Sequence, residues 1–285
     1  MVSPNDNQPP RFFDRALLVR RQARAQSLGA ETFLLDRVAG DMADRISAVL
    51  RKFSQAADIG SPTDVIALAL APLTQKIEHI ALPLYDTDAL PLTPSSLDLA
   101  VSALALQFVN DLPGTLAQIR RALKPDGLFM AALAGGDTLT ELRQSFAAAE
   151  SEIEGGLSPR VAPMVEVRDA GGLLQRAGFA LPVTDVDRVV VRYDNAFALM
   201  RDLRRMGSTN SLNERRRLPL RRATLLRMAQ IYSERFADAD GRIRATFDIV
   251  WMSGWAPHES QPKPLKPGSG KMSLEQAVKA SKSKS

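Results

Sequence analysis

Cysteine is absent from the 285 residues. That excludes a disulfide framework, a thiol nucleophile and a cysteine metal site. Histidine is nearly absent as well: His79 and His258 are the only two. A histidine-rich metal centre or a histidine relay is therefore not expected. No serine-histidine-acid order and no metal-ligand spacing is found. No apolar run approaches the ~18–20 residues needed to span a bilayer. Met1 to Pro10 is polar, carries proline and lacks the apolar core of a secretory signal. These absences fit a cytosolic or matrix-like reducing compartment.

What is present is ordinary for a folded chain. Apolar residues make up 45% and charged residues 24%, enough for a sizeable core. At roughly 100–200 residues per domain, the length suits one large domain or two small ones. The net charge of +5 suits nucleic acid, anionic membrane or acidic partners without choosing among them. Arginine dominates the body, whereas lysine gathers after Pro262.

That shift marks a boundary. Residues 1–10 read as disordered and 257–285, rich in Pro, Lys, Gly and Ser, as a mobile tail. Arg11 to Leu50 reads as helical, with Val38, Met42, Ile46 and Val49 at helical spacing. Ala56 to Ile59 is a short strand stopped at Gly60-Ser61-Pro62. Val65 to Leu73 resembles a buried helix, and Ile77 to Leu84 is a candidate strand. Leu97 to Ser102 reads as a buried strand, Thr115 to Leu123 as a helix stopped by Lys124-Pro125-Asp126-Gly127, and Leu128 to Leu133 as another strand. Strand, helix, glycine turn, strand is the rhythm of a parallel α/β sheet. Leu173 to Ala177 continues it as a helix and Thr184 to Tyr193 as a strand. Helices over Phe197 to Met206 and Ala223 to Phe236 and a last strand over Ala245 to Trp251 complete it.

In an open α/β sheet, ligands sit beyond the carboxyl ends of the strands. Three such ends can be named: Asp58 to Pro62, Gln107 to Asp111, and Gly135 to Thr138. The expectation is that Asn110, Asp111, Asp137 and Thr138 share one cleft. Gly135-Gly136-Asp137-Thr138 also suits a plain turn followed by a helix cap.

Longer segments carry a resemblance. Leu97-Asp98-Leu99, Val109-Asn110-Asp111-Leu112-Pro113 and Leu123-Lys124-Pro125-Asp126-Gly127 resemble the second half of a class I S-adenosylmethionine (SAM)-dependent methyltransferase. Gly135 to Arg143, Glu154-Gly155-Gly156-Leu157-Ser158-Pro159, Asp202 to Gly207 and Gly254 to Gln261 sharpen it, together with Phe13-Asp14-Arg15. They resemble the methyltransferase-like assembly factors of respiratory complex I, from about Phe12 to Gly270. The malonyl-acyl-carrier methyltransferases are similar at a greater distance.

The resemblance implies a Rossmann-like sheet of seven strands, here shortened at the front, with N-terminal helices over 11–52, a core over 53–195, a helical insertion over 196–244 and a final strand over 245–256. It implies SAM as cofactor and a protein substrate or complex I subunit as partner. It implies action in complex I assembly, with arginine modification as the chemistry of the mitochondrial relatives. It also extends the expected location to the matrix, or to the periphery of the inner membrane. Asp58 and Gly60 match the cofactor loop, and Asp86 and Asp88 the segment flanking the adenine. Asp137, Glu141, Asn110 and Asp111 are the catalytic candidates, with Asp137 or Glu141 as substrate orienter or general base.

The departures from the family bear on the cofactor. Where the family carries Asp-Leu-Gly-Cys-Gly-x-Gly, this chain has Asp58-Ile59-Gly60-Ser61-Pro62-Thr63-Asp64. Pro62 removes an N–H, and Ser61 and Thr63 add bulk. The stretch between Gly60 and Asp86 is too short for a second strand, its helix and a third strand, and no residue there offers itself for the ribose. The family's His-Trp is Gln107-Phe108. One lost charged contact costs about 1.5–3 kcal/mol. Losing two weakens binding roughly a thousandfold. Weak or lost SAM binding is thus one expectation, and an active methyltransferase or arginine-modifying enzyme the other.

Arg201, Arg204, Arg205, Arg215, Arg216, Arg217, Arg221, Arg222 and Arg227 crowd one segment. They suit either an acidic or anionic docking surface or a solvated helical face. No aromatic residues are interleaved for base stacking, so no specific nucleic acid is expected. His79 reads as a core or rim residue, His258 as structural or docking, and Trp251 and Trp255 as packing.

Overall fold

The computed structural model describes residues 11–82 and 89–262. The expected disordered start, most of the expected tail, and Asp86 and Asp88 lie outside the described residues.

Two helices lead, within the stretch expected to hold N-terminal helices: α1 (Arg15–Ser27) and α2 (Phe33–Ser47). They part at Gly29, whose φ of +77° suits glycine. Asp14 caps α1 by accepting from the Leu17 N–H at 2.9 Å. The face Leu34, Leu35, Val38, Met42 and Ile46 of α2 is buried, as its spacing predicts.

The sheet is built from β1 (Ala56–Ile59), β2 (Ile77–Ile80), β3 (Leu97–Ala103), β4 (Leu123–Gly135), β5 (Ala180–Tyr193) and β6 (Ile243–Trp255). Their order is β2-β1-β3-β4-β6-β5. The first four run parallel, and β6 runs antiparallel to both β4 and β5. Among the described residues the sheet has six strands, one fewer than the seven implied. The front does hold a helix and a second strand: α3 (Val65–Leu70) crosses to β2, which pairs Asp58 with His79. This is the helix and strand expected over 65–73 and 77–84, and among the described residues no further helix or strand follows before β3. They fit because α3 has only six residues and β2 only four.

The remaining helices cover both faces: α4 (Leu112–Ala122), α5 (Thr140–Glu154), α6 (Val167–Arg176), α7 (Ala196–Arg205) and α8 (Arg222–Phe236). The period of two along β3 and β4 sorts their side chains. Val101, Met130 and Ala132 join the core under α2, α5, α7 and α8. Ala100, Phe129 and Ala131 join the core under α4 and α6. The expected helical insertion appears as α7 and α8, between β5 and β6. No helix among the described residues is long and apolar enough to cross a membrane.

Candidate functional site

The carboxyl ends of β1, β3 and β4 open onto a cavity of about 490 Å³. Pro62 and Thr63 follow β1, Leu104, Gln107 and Phe108 follow β3, and Ala134, Thr138 and Leu139 end or follow β4. The opposite wall comes from α1, the start of α2, α5 and α7. Three chain ends that are distant in sequence meet here because parallel strands all point their carboxyl ends one way.

Two lining residues hold strained backbone. Leu104 and Leu139 have φ of +51° and +55°, a region that costs a non-glycine residue about 1–3 kcal/mol. Backbone bonds keep them there: the Leu104 N–H donates to Ala132 O at 2.8 Å and the Leu139 N–H to Thr246 O at 2.7 Å. Strain of this kind gathers at ligand sites.

Of the described site candidates, Asn110, Asp111, Asp137, Glu141, Asp58 and Gly60 do not line this cavity. Asn110 instead clamps the N-terminal segment. Its Oδ1 accepts from the Phe13 N–H at 2.7 Å, and its Nδ2 donates to the Phe13 carbonyl at 3.3 Å. Phe13, held this way, becomes part of the cavity wall and meets the Phe108 ring edge-on at 5.9 Å. Asp111 caps α4 by accepting from the Gly114 N–H at 2.8 Å.

Asp137 turns toward β5 and pairs with Arg188 at 2.8 Å. Arg188 also grips the buried Asp248, at 2.7 and 2.8 Å. This guanidinium is the main cause holding the Asp248 carboxyl below its usual range. Glu141 is buried, with its two oxygens accepting from the Thr246 hydroxyl at 2.5 Å and the Thr246 N–H at 3.1 Å. The four catalytic candidates are not brought into one cleft. Of the quartet expected to share it, Thr138 alone reaches the cavity, and its hydroxyl is bonded to Gly135 O and Asp248 O. The expected turn at Gly136 is present, with φ +50°, and α5 begins after Leu139, whose side chain makes no capping bond.

Of the cofactor candidates, Asp58 and Gly60 lie outside the cavity lining. Asp58 is buried, and burial pushes its carboxyl above the usual carboxylate range. Ser61 Oγ donates to Asp58 Oδ1 at 2.5 Å and accepts from the Ala103 N–H at 3.0 Å. Gly60 has φ +75°, and Leu82 covers it so closely that a Cβ built there would lie 2.6 Å from the Leu82 side chain. Beyond β2 the chain reads Ile80-Ala81-Leu82, without an acidic side chain. His79 is not in the core: its side chain is 53% exposed, with Nδ1 3.5 Å from Asp58 Oδ2. His258 closes a local turn with Ser260, and Trp251 is buried under the Arg45 guanidinium.

Of the polar wall of the cavity, sequence reasoning missed Arg21, Arg160 and Ser211, and it named Gln107 and Arg204 without bringing them together. The helical pattern of α1 and α7 shows that each has a buried face. It does not show that the two faces meet over the strand ends.

Fold and site define a methyltransferase-like protein of the class I, Rossmann-like kind. A family model described as a methyltransferase domain matches residues 49–131. The YcgJ protein of Bacillus subtilis has a crystal structure similar to this fold, with a TM-score of 0.51 at 13% identity, covering 75% of this chain and 97% of that one. The zebrafish (Danio rerio) protein named arginine-hydroxylase NDUFAF5, mitochondrial, is 38% identical over 301 residues, covering 98% of this chain and 93% of its own. The chain belongs to the NDUFAF5 family. The malonyl-[acyl-carrier protein] O-methyltransferase of Laribacter hongkongensis is 41% identical over 177 residues, covering 62% of this chain and 57% of its own.

Proposed function

We propose that this protein serves respiratory complex I assembly by engaging a protein partner or subunit, on a methyltransferase frame that holds SAM weakly or not at all. The single observation that carries the cofactor part is the filled loop after β1. Leu82 lies on Gly60, where the family's glycines let a ligand approach the backbone. Ser61 ties up Asp58, and among the described residues no acidic side chain follows β2 to take the ribose hydroxyls. We infer that the described residues do not fit SAM, and no chemical step is routed through it.

The partner part rests on family membership and on the open cavity. The relatives bearing the NDUFAF5 name are called mitochondrial, which supports a matrix-side setting for the family. For this chain, a cytosolic place beside the inner membrane is the equivalent reading. The arginines of the α7–α8 segment support an acidic surface only in part. Arg205, Arg215, Arg216, Arg221 and Arg227 are paired with Glu31, Asp14, Glu154, Glu154 and Glu152.

A second reading, an active methyltransferase or arginine-modifying enzyme on a protein substrate, draws support from the strained Leu104 and Leu139 at the cavity wall. Asp137 and Glu141 are not proposed as its base, because each is committed to another contact.

Titration calorimetry with SAM separates the two. The expected result is no saturable binding at micromolar SAM. A micromolar Kd would overturn the first reading. Co-purification of quinone-oxidoreductase subunits with the tagged protein is expected, and its absence would remove the assembly role.

A further inference from the structure

We propose that the cavity at the strand ends docks an apolar peptide segment that carries an acidic side chain, supplied by a protein partner. This rests on the protein-partner reading above and is independent of the cofactor.

The size and wall of the cavity come first. Its volume of about 490 Å³ falls within the ~300–1,000 Å³ of ligand pockets. Leu34, Leu35, Leu142, Phe146, Leu203 and Phe247 make most of the wall apolar. Such a wall favours an apolar body and disfavours a fully polar one.

Two polar atoms interrupt it. Ser211 is only 3% exposed, and its Oγ has no hydrogen-bond partner. Gln107 donates its amide nitrogen to Leu104 O at 2.8 Å, which fixes the amide orientation and leaves Oε1 buried and unpartnered. Both residues line the cavity. A buried polar group left unsatisfied costs about 1–3 kcal/mol. A ligand that brings a donor to Gln107 Oε1 and an acceptor to the Ser211 hydroxyl relieves both. A peptide bond brings one of each.

Charge selects the side chain. The cavity's charged lining is Arg21, Arg160, Arg204, Arg205 and Glu31. Arg160 is paired with Glu150, and Arg205 with Glu31. Arg204 has no ion-pair partner among the described residues. Arg21 donates to the Asn210 backbone carbonyl and makes no ion pair among the described residues. Partial burial, with the Arg215 charge nearby, holds its guanidinium below the usual range. Asp14 offsets part of the Arg21 charge, but neither Arg21 nor the exposed Arg204 has an ion-pair partner among the described residues, so the lining keeps a positive excess. A carboxylate answers it, whereas a guanidinium or ammonium group meets like charge.

The test uses the full chain and three fluorescein-labelled, C-amidated tetrapeptides: Leu-Phe-Asp-Leu, its Asn form and its Arg form. Fluorescence anisotropy is expected to show the Asp peptide binding at least tenfold tighter than the Asn peptide, with the Arg peptide weakest. Arg204→Glu, at an exposed position, is expected to keep the thermal midpoint, weaken the Asp peptide about tenfold and strengthen the Arg peptide. Ala162→Trp, which fills the cavity, is expected to weaken all three.

Tightest binding by the Arg peptide, equal affinities for all three, no binding up to millimolar peptide, or indifference to Arg204→Glu would each overturn the proposal. If the peptides fail while respiratory subunits still co-purify with the protein, the cavity proposal alone falls. If the co-purification fails, the partner reading falls with it.

Discussion

Asp58 shows how one side chain can keep a family position while serving another purpose. The aspartate stands where the sequence resemblance expects it, but it is buried against Ser61 and beside His79. Burial raises its pKa in the folded chain. An acid raised in this way favours the folded state most below its unfolded pKa, near 3.8, and loses that advantage as pH rises through the folded value. Relative to Asp58→Asn, the native chain should therefore gain thermal stability as pH falls from 7 toward 4. Melting curves of both proteins across that range check the sign. Asn110 is a second such residue. Asn110→Ala removes both bonds to Phe13 and should cost about 1–3 kcal/mol. It should also speed amide hydrogen exchange in α1, which mass spectrometry reads directly.

At the scale of elements, most strands and helices of the back half were legible because each has one dominant local signal, whereas α5 was not read from the sequence. Lys124-Pro125-Asp126-Gly127 ends α4 because proline cannot continue a helix. Its start is set by Asp111, whose carboxylate caps the first turn. Asp111→Ala should cost about 1 kcal/mol, seen as a lower urea midpoint with an unchanged slope. What was not legible is where the polar residues beyond the strands turn. Asp137 belongs to a loop after β4, but its partner, Arg188, lies on β5, 51 residues away. Glu141 lies on α5 and is taken up by Thr246 of β6, 105 residues away. Both partners come from the antiparallel β5–β6 pair, whose register with each other and, through β6, with β4 no local pattern states. The place of the break between α1 and α2 was not stated from the sequence, although Gly29 with its positive φ stands at it.

For the whole molecule, stability depends on a sheet covered on both faces. Phe129 is fully buried and stacks on Phe179 at a centroid distance of 5.2 Å. Phe129→Ala should cost about 3–5 kcal/mol, measured by chemical denaturation. The ion network across β4, β5 and β6 sets the acid limit. Asp248 has a lowered pKa, chiefly through Arg188. It therefore contributes stability above its unfolded pKa and loses it as pH falls through the lower folded value. Arg188→Ala should move acid unfolding to higher pH. A circular-dichroism titration that leaves the acid midpoint unmoved would remove the network from this role.

The sequence alone determined the class of fold. Periods of two and 3.6, together with proline and glycine stops, are local features, and a mostly parallel sheet with crossing helices is the arrangement that buries those faces together; that β6 runs antiparallel was not among them. Those same residues also showed that the loop after β1 had lost its glycines. Only tertiary structure decided what replaced them and where the open space lies. Leu82 reaches Gly60 through the pairing of β2 with β1. The cavity exists because α1 and α7, more than 150 residues apart in the chain, close over the ends of three strands. Contacts of that range depend on register and packing, which the order of residues along one segment does not encode.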